Sequence, residues 1–397
     1  MNIGHRIRLV PTSEQEIAFR RACGVARFAY NWALSEWKRQ HEAGEKPTEI
    51  ALRKALNAIK GEQFPWMTEV TKNAPQQAIK NLGRAYVNFF DDLKKYRRGD
   101  IEWKRVRAPK FKKKGRHDRF RADNGPDKNH PDAVQVCGKM VRLPVIGWVK
   151  MREEVRFAGQ ILSVTISRQG DAWFASFCID VPYEIDPHID TPSVGVDLGV
   201  SRLATVSDGS FVPASNPLRR YLGKLKRLSR ALSRKTIGSR NRAKAKTKLA
   251  RLHRRIGDIR SDILHKFTTS LTRHQTVVIE DLNVRGMLAN RSLSRAIADV
   301  GFFEFRRQMD YKAKMADTTV VVADRWYPSS KRCSMCDVKN ETLSLSERIW
   351  TCAACGTTHD RDFNAAVNLA RYPESSPGSA HGAEGAGDEI LVVKPAA

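Results

Sequence analysis

The chain has 397 residues, and 41% of them are hydrophobic, which is enough for folded cores and excludes wholesale disorder. Its 70 Lys and Arg against 43 Asp and Glu give a formal net charge of +27, so a polyanionic partner is expected, with nucleic acid ahead of an anionic membrane surface. No segment approaches the ~18 apolar residues of a membrane span, and the N-terminus lacks the apolar core of a signal peptide, so a cytoplasmic, nucleoid-associated protein of two to four domains is expected.

Helical patterns dominate the first hundred residues. A short alternating run at 7–10 predicts a strand, and Ser13 with Glu16 matches the S-x-x-E capping box of a helix that continues to about Gln40. Two further helices are predicted, one near 49–60 and one from about residue 74 that places its apolar residues on one face. Residues 12–98 are therefore predicted to form a small helical module.

Strand patterns replace helical ones from about residue 101 to 182. Short strand-like runs are punctuated by Gly and Pro, and the turn Gln169–Asp171 predicts a hairpin with the run 173–179. Several short strands of this kind suggest a small β-barrel. A surface loop is expected at 125–132, and an interdomain linker at 187–192.

After residue 192 the pattern becomes α/β. Strands are predicted within 194–206, at 276–279 and at 320–323, and a final helix at 364–371. From Pro373 the chain is rich in Gly, Ala, Ser and Pro, which predicts a disordered tail. Two long basic helices, broken near 237–239, are predicted to pair antiparallel along an apolar seam of Leu249, Leu252, Ile256, Ile259 and Ile263.

The positive charge is concentrated in two runs. Residues 219–260 hold 17 Lys or Arg and one acid, and residues 94–116 hold 12 Lys or Arg and two acids. A charge run is ordinarily a solvated face, but two runs that carry most of the net charge would destabilise the isolated protein by self-repulsion. Binding to phosphates relieves this repulsion and releases counterions, so the runs predict nucleic-acid-binding surfaces.

Four of the seven cysteines form two C-x2-C pairs separated by fifteen residues: Cys333, Cys336, Cys352 and Cys355. Two thiolates three positions apart on a tight turn grip one edge of a tetrahedral Zn²⁺, and two such pairs complete the site, so the zinc is expected to be structural. The alternative is four unrelated free thiols. The remaining cysteines stand singly in apolar surroundings and are predicted to be core residues: Cys23, Cys137 and Cys178.

Three acidic residues stand where an apolar strand ends or a helix begins: Asp197, Glu280 and Asp362. Alone, each has an ordinary interpretation as a turn residue, a solvated strand-end acid or a helix N-cap. In a chain of this charge, three converging acids are instead what a two-metal phosphodiester hydrolase requires, with ions ~3.5–4 Å apart that activate water and stabilise the leaving oxygen. Carboxylate ligands suit Mg²⁺ or Mn²⁺. Gly195 and Gly199, beside Asp197, are predicted to let a metal or phosphate approach closely.

Five motifs together resemble the TnpB family of transposon-encoded, RNA-guided DNA endonucleases, which are related to the type V CRISPR effector nucleases. They are GVDLGV at 195–200, VVIEDLNVRGM at 277–287, FEFRRQMDYKA at 303–313, RWYPSSKRCSMC at 325–336 and WTCAACGTTHDRDFNAAVNLA at 350–370. RIRLVPTSEQE at 6–16 and FAYNWAL at 28–34 also look like the family, so the resemblance covers about residues 1–372. One departure is Asp337, where family members often carry Gly.

The resemblance implies a multidomain α+β fold built around a RuvC-like α/β nuclease domain of the RNase H fold. By motif position, Asp197, Glu280 and Asp362 match the catalytic, magnesium-binding acids, and their neighbour Asp360 is rejected. The implied domains are a wedge-type β-barrel at 1–11 and 99–190, a helical recognition module at 12–98, a RuvC-like domain at 191–372 containing a zinc ribbon at 330–357, and a disordered tail at 373–397.

The resemblance also implies a guide RNA from the transposon end and a double-stranded DNA target with a short adjacent motif, and no membrane partner. Such a protein would be grouped with transposases because its gene sits in an insertion sequence. The chain contains no His-x-His pair for strand transfer, so DNA hydrolysis dependent on Mg²⁺ or Mn²⁺ is expected instead. Two alternatives are open: an RNA-guided DNA-binding repressor without cleavage, and a guide-free RuvC-like nuclease.

Overall fold

A computed structural model describes residues 1–116, 118–124, 133–182, 193–344 and 346–372. The described chain divides into two compact units, one up to Pro182 and one from residue 193 onward. The predicted loop at 125–132, the linker at 187–192 and the tail at 373–397 lie outside the described residues. No helix in the described ranges is both long and apolar enough to cross a membrane.

The described part of the first unit contains three long helices: α1 (Ser13–Glu42), α2 (Glu49–Gln63) and α3 (Asn73–Arg97). The predicted capping box was wrong by one residue, because Thr12 rather than Ser13 is the N-cap of α1. The Thr12 side chain accepts a hydrogen bond from the N–H of Gln15, and the Gln15 side chain accepts one from the N–H of Thr12 at 3.0 Å. This reciprocal pair satisfies two backbone donors at the start of a 30-residue helix.

A seven-stranded antiparallel sheet completes the first unit. Its strands are β1 (Asn2–Val10), β2 (Arg119–Asp123), β3 (Gln135–Cys137), β4 (Met140–Leu143), β5 (Gly147–Met151), β6 (Gln160–Gln169) and β7 (Ala172–Asp180), in the order β2-β6-β7-β1-β5-β4-β3. The predicted hairpin is confirmed as β6 and β7, joined by Gly170 and Asp171. The described ladder ends at β2 and β3, so a closed barrel stays a prediction.

The core of the first unit lies between its helices and this sheet. Phe19 of α1 is fully buried, and its ring centroid lies 5.0 Å from that of Trp173 on β7 and 6.0 Å from that of Phe120 on β2. Aromatic side chains bury large apolar areas and so dominate such contacts. The long helix α1 is therefore fixed directly on the sheet.

The second unit is built on a mixed five-stranded sheet. Its strands are β8 (Ser193–Leu198), β9 (Arg202–Val206), β10 (Phe211–Pro213), β11 (Thr276–Glu280) and β12 (Thr319–Ala323), in the order β10-β9-β8-β11-β12. The first three strands pair antiparallel, whereas β8, β11 and β12 run parallel. Parallel neighbours bring their carboxyl ends to one edge, which is where open α/β sheets place their sites.

The described residues of the second unit also form six helices and one further hairpin. They are α4 (Pro217–Ser233), α5 (Arg240–Leu271), α6 (Val284–Ala289), α7 (Ser294–Val300), α8 (Phe302–Ala316), α9 (Arg361–Ala370) and the strands β13 (Ile349–Thr351) and β14 (Thr358–Asp360). The predicted antiparallel pairing of α4 with α5 is confirmed: the Arg255 guanidinium lies 5.4 Å from the ring centroid of Tyr221 at one end, and Arg242 donates to the carbonyl of Leu232 at the other. Of the predicted seam, Leu252 and Ile256 are buried, and the other three residues are half-buried.

Helix α4 is capped by a residue from another helix. The side chain of its own N-cap, Asn216, makes no capping hydrogen bond. Instead, the buried carboxylate of Asp299 on α7 accepts hydrogen bonds from the N–H groups of Leu218 at 2.9 Å and Arg219 at 3.0 Å, and it pairs with Arg260 of α5 at 3.2 Å. A carboxylate at a helix N-terminus satisfies free donors and complements the helix dipole, so Asp299 ties three helices together.

Candidate active site and cysteine cluster

Two of the three predicted acids lie on adjacent parallel strands. Asp197 is near the end of β8, Glu280 is the last residue of β11, and Val196 pairs with Ile279 in the ladder. Both strands are apolar and buried up to this point, so the sheet holds the two carboxylates at its carboxyl edge. Each side chain is half-buried.

The third predicted acid, Asp362, lies in the first turn of α9. It is not the helix N-cap, because Asp360 has that role and accepts hydrogen bonds from the N–H groups of Asp362 at 3.0 Å and Phe363 at 3.1 Å. The side chain of Asp362 is therefore not used for capping, and it accepts a hydrogen bond from Arg348 at 3.0 Å. The N-cap role that was an alternative interpretation of Asp362 is thus filled by its neighbour Asp360.

The charges of Glu280 and Asp362 act on the carboxylate of Asp197. Burial raises the pKa of Asp197 well above its usual range, and the charges of Glu280 and Asp362 raise it further. Burial also raises the pKa of Glu280, while a hydrogen bond from Ser329 and the charge of Arg361 act in the opposite direction. Keeping both Asp197 and Glu280 ionised is therefore costly, and a bound divalent cation would reverse this balance.

The spacing of ligand atoms separates the two candidate metal sites. Among the described residues, the four predicted cysteines are the only group of three or more His, Cys, Asp or Glu side chains whose ligand atoms all lie within 4.8 Å of one another. The three carboxylates are spread more widely than that. They do not form a closed cage around one ion.

Of the two glycines near Asp197, Gly195 does not have the predicted role. A Cβ added at Gly195 would lie 2.0 Å from the carbonyl oxygen of Ala366 and 2.3 Å from the nitrogen of Ala370, both on α9. A Cβ added at Gly199 would lie 2.9 Å from the carbonyl oxygen of Arg202. Gly195 thus lets the backbone of α9, rather than a metal or phosphate, approach β8, and Gly199 serves the turn into β9.

The four cysteines form one compact cluster, which can hold a metal ion such as zinc. The sulfurs of Cys333 and Cys355 are 3.6 Å apart, and those of Cys336 and Cys352 are 3.5 Å apart. Zinc–sulfur bonds of about 2.3 Å give a tetrahedron with an edge of about 3.8 Å, so these separations fit a tetrahedral ion. The alternative of four unrelated thiols does not account for this convergence.

Both cysteine pairs lie on turns of the same construction. In the first, the N–H of Asp337 donates to the carbonyl of Cys333, and in the second the N–H of Gly356 donates to that of Cys352, each at 2.9 Å. Asp337 has φ of 66° and Gly356 has φ of 73°, so both occupy the left-handed region. The residue that departs from the family pattern therefore lies where glycine is favoured, and its carboxylate pairs with Arg332.

Four polar residues of the site were missed in the sequence. His359 is buried beside the cluster, with Nε2 3.0 Å from the sulfur of Cys333. Ser329 donates to Glu280, and Asn364 and Asn368 are buried on α9. The available signals were the i, i+4 spacing of the two asparagines and the positions of all four residues within the motifs at 325–336 and 350–370.

The three single cysteines divide into two kinds. Cys23 and Cys178 are buried, as predicted, whereas Cys137 is exposed at the end of β3, so that prediction was wrong. Burial raises the pKa of the Cys23 thiol to about 12. It therefore stays protonated and is a packing residue.

Family profiles match three parts of the chain. Residues 176–291 match a profile described as "Probable transposase" (OrfB_IS605), residues 302–369 match "Cas12f1-like, TNB domain", and residues 1–46 match "Helix-turn-helix domain". In the last region the structure has one strand and a single continuous helix, β1 and α1.

Whole-chain relatives and a solved structure agree with these profiles. A Mycobacterium tuberculosis protein is 36% identical over 93% of this chain and 86% of its own length, and InsQ of Escherichia coli K12 is 33% identical over 92% and 90%; both are named RNA-guided DNA endonucleases. The fold is similar to a cryo-EM structure of Cas12f1 with sgRNA and target DNA, with a TM-score of 0.55, 14% identity and coverage of 93% of this chain and 98% of that one. The chain belongs to the TnpB family.

Proposed function

We propose that the chain is an RNA-guided, Mg²⁺-dependent DNA endonuclease of an insertion sequence. The observation that carries this proposal is the placement of Asp197 and Glu280 at the carboxyl edge of adjacent parallel strands, with Asp362, whose charge acts on Asp197, in the first turn of α9. The relatives named RNA-guided DNA endonucleases support the same activity. The sheet order, with three antiparallel strands followed by two parallel ones, supports a RuvC-like domain of the RNase H fold at 191–372.

In this proposal the three carboxylates hold the catalytic cations. The residues present fit Mg²⁺ or Mn²⁺, because all three offer carboxylate oxygens, and burial together with the charges of Glu280 and Asp362 raises the pKa of Asp197. Such ions, when bound, activate water and stabilise the leaving oxygen of a phosphodiester. Arg348 donates a hydrogen bond to Asp362, and Ser329 donates one to Glu280.

The cysteine cluster is proposed to be a structural zinc ribbon at 330–357. Four sulfurs would fill all four positions of the ion, which leaves none for substrate. Strand β14 leads directly from this cluster into α9, so the ribbon supports the helix that carries Asp362.

The remaining domain assignments are proposed with the family in view. Residues 1–11 and 99–190 would form the wedge-type barrel and 12–98 the recognition module, and the basic runs at 94–116 and 219–260 would contact nucleic-acid backbones. Base pairing with a guide RNA from the transposon end would select the DNA, and the protein would read a short motif beside the target.

The test is to purify the protein from cells that carry its native flanking DNA and to sequence the bound RNA. The same preparation is assayed for Mg²⁺-dependent cleavage of matching duplex DNA, alongside Asp197→Ala. A defined RNA, with cleavage that is lost in Asp197→Ala, is the expected result.

The other outcomes identify the alternatives. Bound RNA and target binding without cleavage would support an RNA-guided repressor. Cleavage of DNA without any bound RNA would support a guide-free nuclease of the same catalytic fold. Either result would contradict the proposed activity.

A further inference from the structure

A buried hydrogen-bond network on one face of α9 joins the carboxylate site to the cysteine cluster. Its centre is a pair of amide side chains one helical turn apart, Asn364 and Asn368, which are 1% and 3% exposed. Residues four apart on a helix share a face, so both amides meet the same partner, the segment 329–334. Burying polar groups this deeply costs free energy unless they are hydrogen-bonded, so loss of these hydrogen bonds would destabilise the packing of α9.

Both amides bond to the backbone of that segment. The Asn368 side chain donates to the carbonyls of Ser329 at 2.7 Å and Arg332 at 2.6 Å. The Asn364 side chain donates to the carbonyl of Arg332 at 2.7 Å and accepts from the N–H of Ser334 at 2.9 Å. Segment 329–334 is thus held to α9 at three places along its length.

The two ends of the segment reach the two candidate sites. At one end, the buried hydroxyl of Ser329 donates to Oε1 of Glu280 at 2.8 Å. At the other end, Cys333 contributes its sulfur to the cysteine cluster. Helix α9 itself carries Asp362 in its first turn, so the same helix supports two of the three acids.

We propose that Ser329 is a positioning residue for Glu280, and that Asn368 of α9 holds Ser329 in place. The inference rests on the proposed function in that it takes Glu280 to be a cation ligand. With Oε1 fixed by the hydroxyl, the other oxygen of Glu280 keeps one direction toward the site. Without the hydroxyl, the carboxylate can rotate about its terminal torsion, which is broad.

The test compares four variants in the full-length protein: Ser329→Ala, Ser329→Thr, Asn368→Leu and, as the matched control, Ser334→Ala. Ser334 lies in the same segment, and in the described part of the chain only its backbone makes hydrogen bonds. For each variant, Mn²⁺ affinity is measured by electron paramagnetic resonance on protein freed of nucleic acid, with Asp197→Ala as the background. Zinc content, melting temperature and the Mg²⁺ dependence of cleavage are measured alongside.

The expected result is a weaker Mn²⁺ affinity in Ser329→Ala by roughly 10-fold or more, as is usual when a partner of a ligand is removed. Its zinc content and melting temperature should stay near those of the unmodified chain, and its half-saturating Mg²⁺ concentration for cleavage should rise by a similar factor. Ser329→Thr keeps the hydroxyl and should retain affinity, as should Ser334→Ala. Asn368→Leu should weaken Mn²⁺ binding while zinc stays bound.

Two results would count against different claims. Unchanged Mn²⁺ affinity and Mg²⁺ dependence in Ser329→Ala would overturn this inference alone, provided that the unmodified protein binds Mn²⁺ and cleaves DNA. If the unmodified protein bound no more Mn²⁺ than Asp197→Ala, that result would contradict the cation site of the proposed function. It would also contradict the positioning role of Ser329, which depends on that site. Asn368→Leu provides a second, independent variant if Ser329→Ala does not fold.

Discussion

Asp360 and Asp362 are two positions apart, yet the structure gives them different tasks. Asp360 caps α9 through two backbone N–H groups, whereas Asp362 bonds to Arg348 and its charge acts on Asp197. We expect Asp362→Asn to abolish cleavage, because a neutral amide is a much poorer ligand for Mg²⁺ than a carboxylate. Asp360→Ala should instead lower stability by ~0.5–2 kcal/mol through loss of the cap.

Thermal denaturation and DNA cleavage, measured on both variants, check this division. Asp360→Asn is the matched control, because asparagine also caps helices and should restore stability and cleavage. An active Asp362→Asn beside an inactive Asp360→Asn would reverse the two assignments.

A half-buried lysine gives the first unit a pH dependence. Lys112 has its ammonium 3.6 Å from the ring centroid of Tyr30, and burial, assisted by Arg119, lowers its pKa to about 8. An unfolded chain holds this proton up to about pH 10.4, so the cost of burying the charge is fully present below pH ~8 and fades as pH rises from there. The unmodified protein should therefore gain stability relative to Lys112→Met between about pH 8 and pH 10.

Urea denaturation of the two proteins across this pH range measures the difference. The backbone of Lys112 exchanges two hydrogen bonds with the Asn31 side chain, at 2.8 and 3.0 Å, and Lys112→Met leaves both in place. The low pKa assigned to Lys112 would be contradicted if the difference in unfolding free energy between the two proteins did not change with pH. It would also be contradicted if the unmodified protein lost stability relative to Lys112→Met as the pH rose.

At the scale of elements, the contact between α9 and β8 depends on one missing side chain. We expect Gly195→Ala to destabilise the second unit by ~1–3 kcal/mol or more, because the added Cβ would overlap backbone atoms of α9 that cannot move independently. The displaced helix carries Asp362, so cleavage should fall as well. Thermal denaturation and cleavage kinetics are the measurements.

Gly223 supplies the control for that substitution. It lies inside α4, and a Cβ added there would meet nothing within 4 Å. Gly223→Ala should therefore stabilise the protein by about 0.5–1 kcal/mol, since alanine is the better helix former. Equal effects at the two glycines would contradict the role given to Gly195.

The elements themselves were largely predictable, and the reasons for the exceptions are physical. An apolar run that ends in an acid and a pair of cysteines at fixed spacing can each be recognised from a few neighbouring residues, as Glu280 and Cys333 show. The cap of α1 was ambiguous because Thr12 and Ser13 are both good caps, and each is followed three residues later by a side chain that can complete the box. Local pattern alone could not separate them.

Roles that depend on what packs against a residue could not be derived from the sequence. Asn364 and Asn368 look like the polar face of a surface helix until segment 329–334 covers them. In the sequence Asp299 looks like a solvated acid. In the fold it caps the start of α4, which lies 80 residues earlier in the chain. The sequence suggested that a ligand could approach the chain at Gly195. Helix α9, which ends 175 residues later, occupies that space instead.

For the molecule as a whole, a charge of +27 should oppose folding in the absence of a polyanion. We expect the melting temperature to rise when NaCl is increased from about 0.1 M to about 1 M, which shortens the Debye length from about 10 Å to about 3 Å. The exposed lysines of α5 should contribute directly, so the combined variant Lys244→Gln, Lys246→Gln and Lys248→Gln should gain less from salt. Differential scanning calorimetry checks both statements, and equal gains in the two proteins would contradict this account of the basic helices.

Strand β1 has a further consequence, which concerns the time course of synthesis. It lies in the middle of its sheet, but its partner β7 follows about 170 residues later. At ~5–20 residues per second, a ribosome takes about 10–30 s to deliver that partner, whereas α1 can form in about a microsecond. During this interval the edge of β1 that later meets β7 is open to other chains. A chain that stops before residue 172 would keep that edge open permanently, so prematurely ended products of this gene should aggregate even though most of their helices can form.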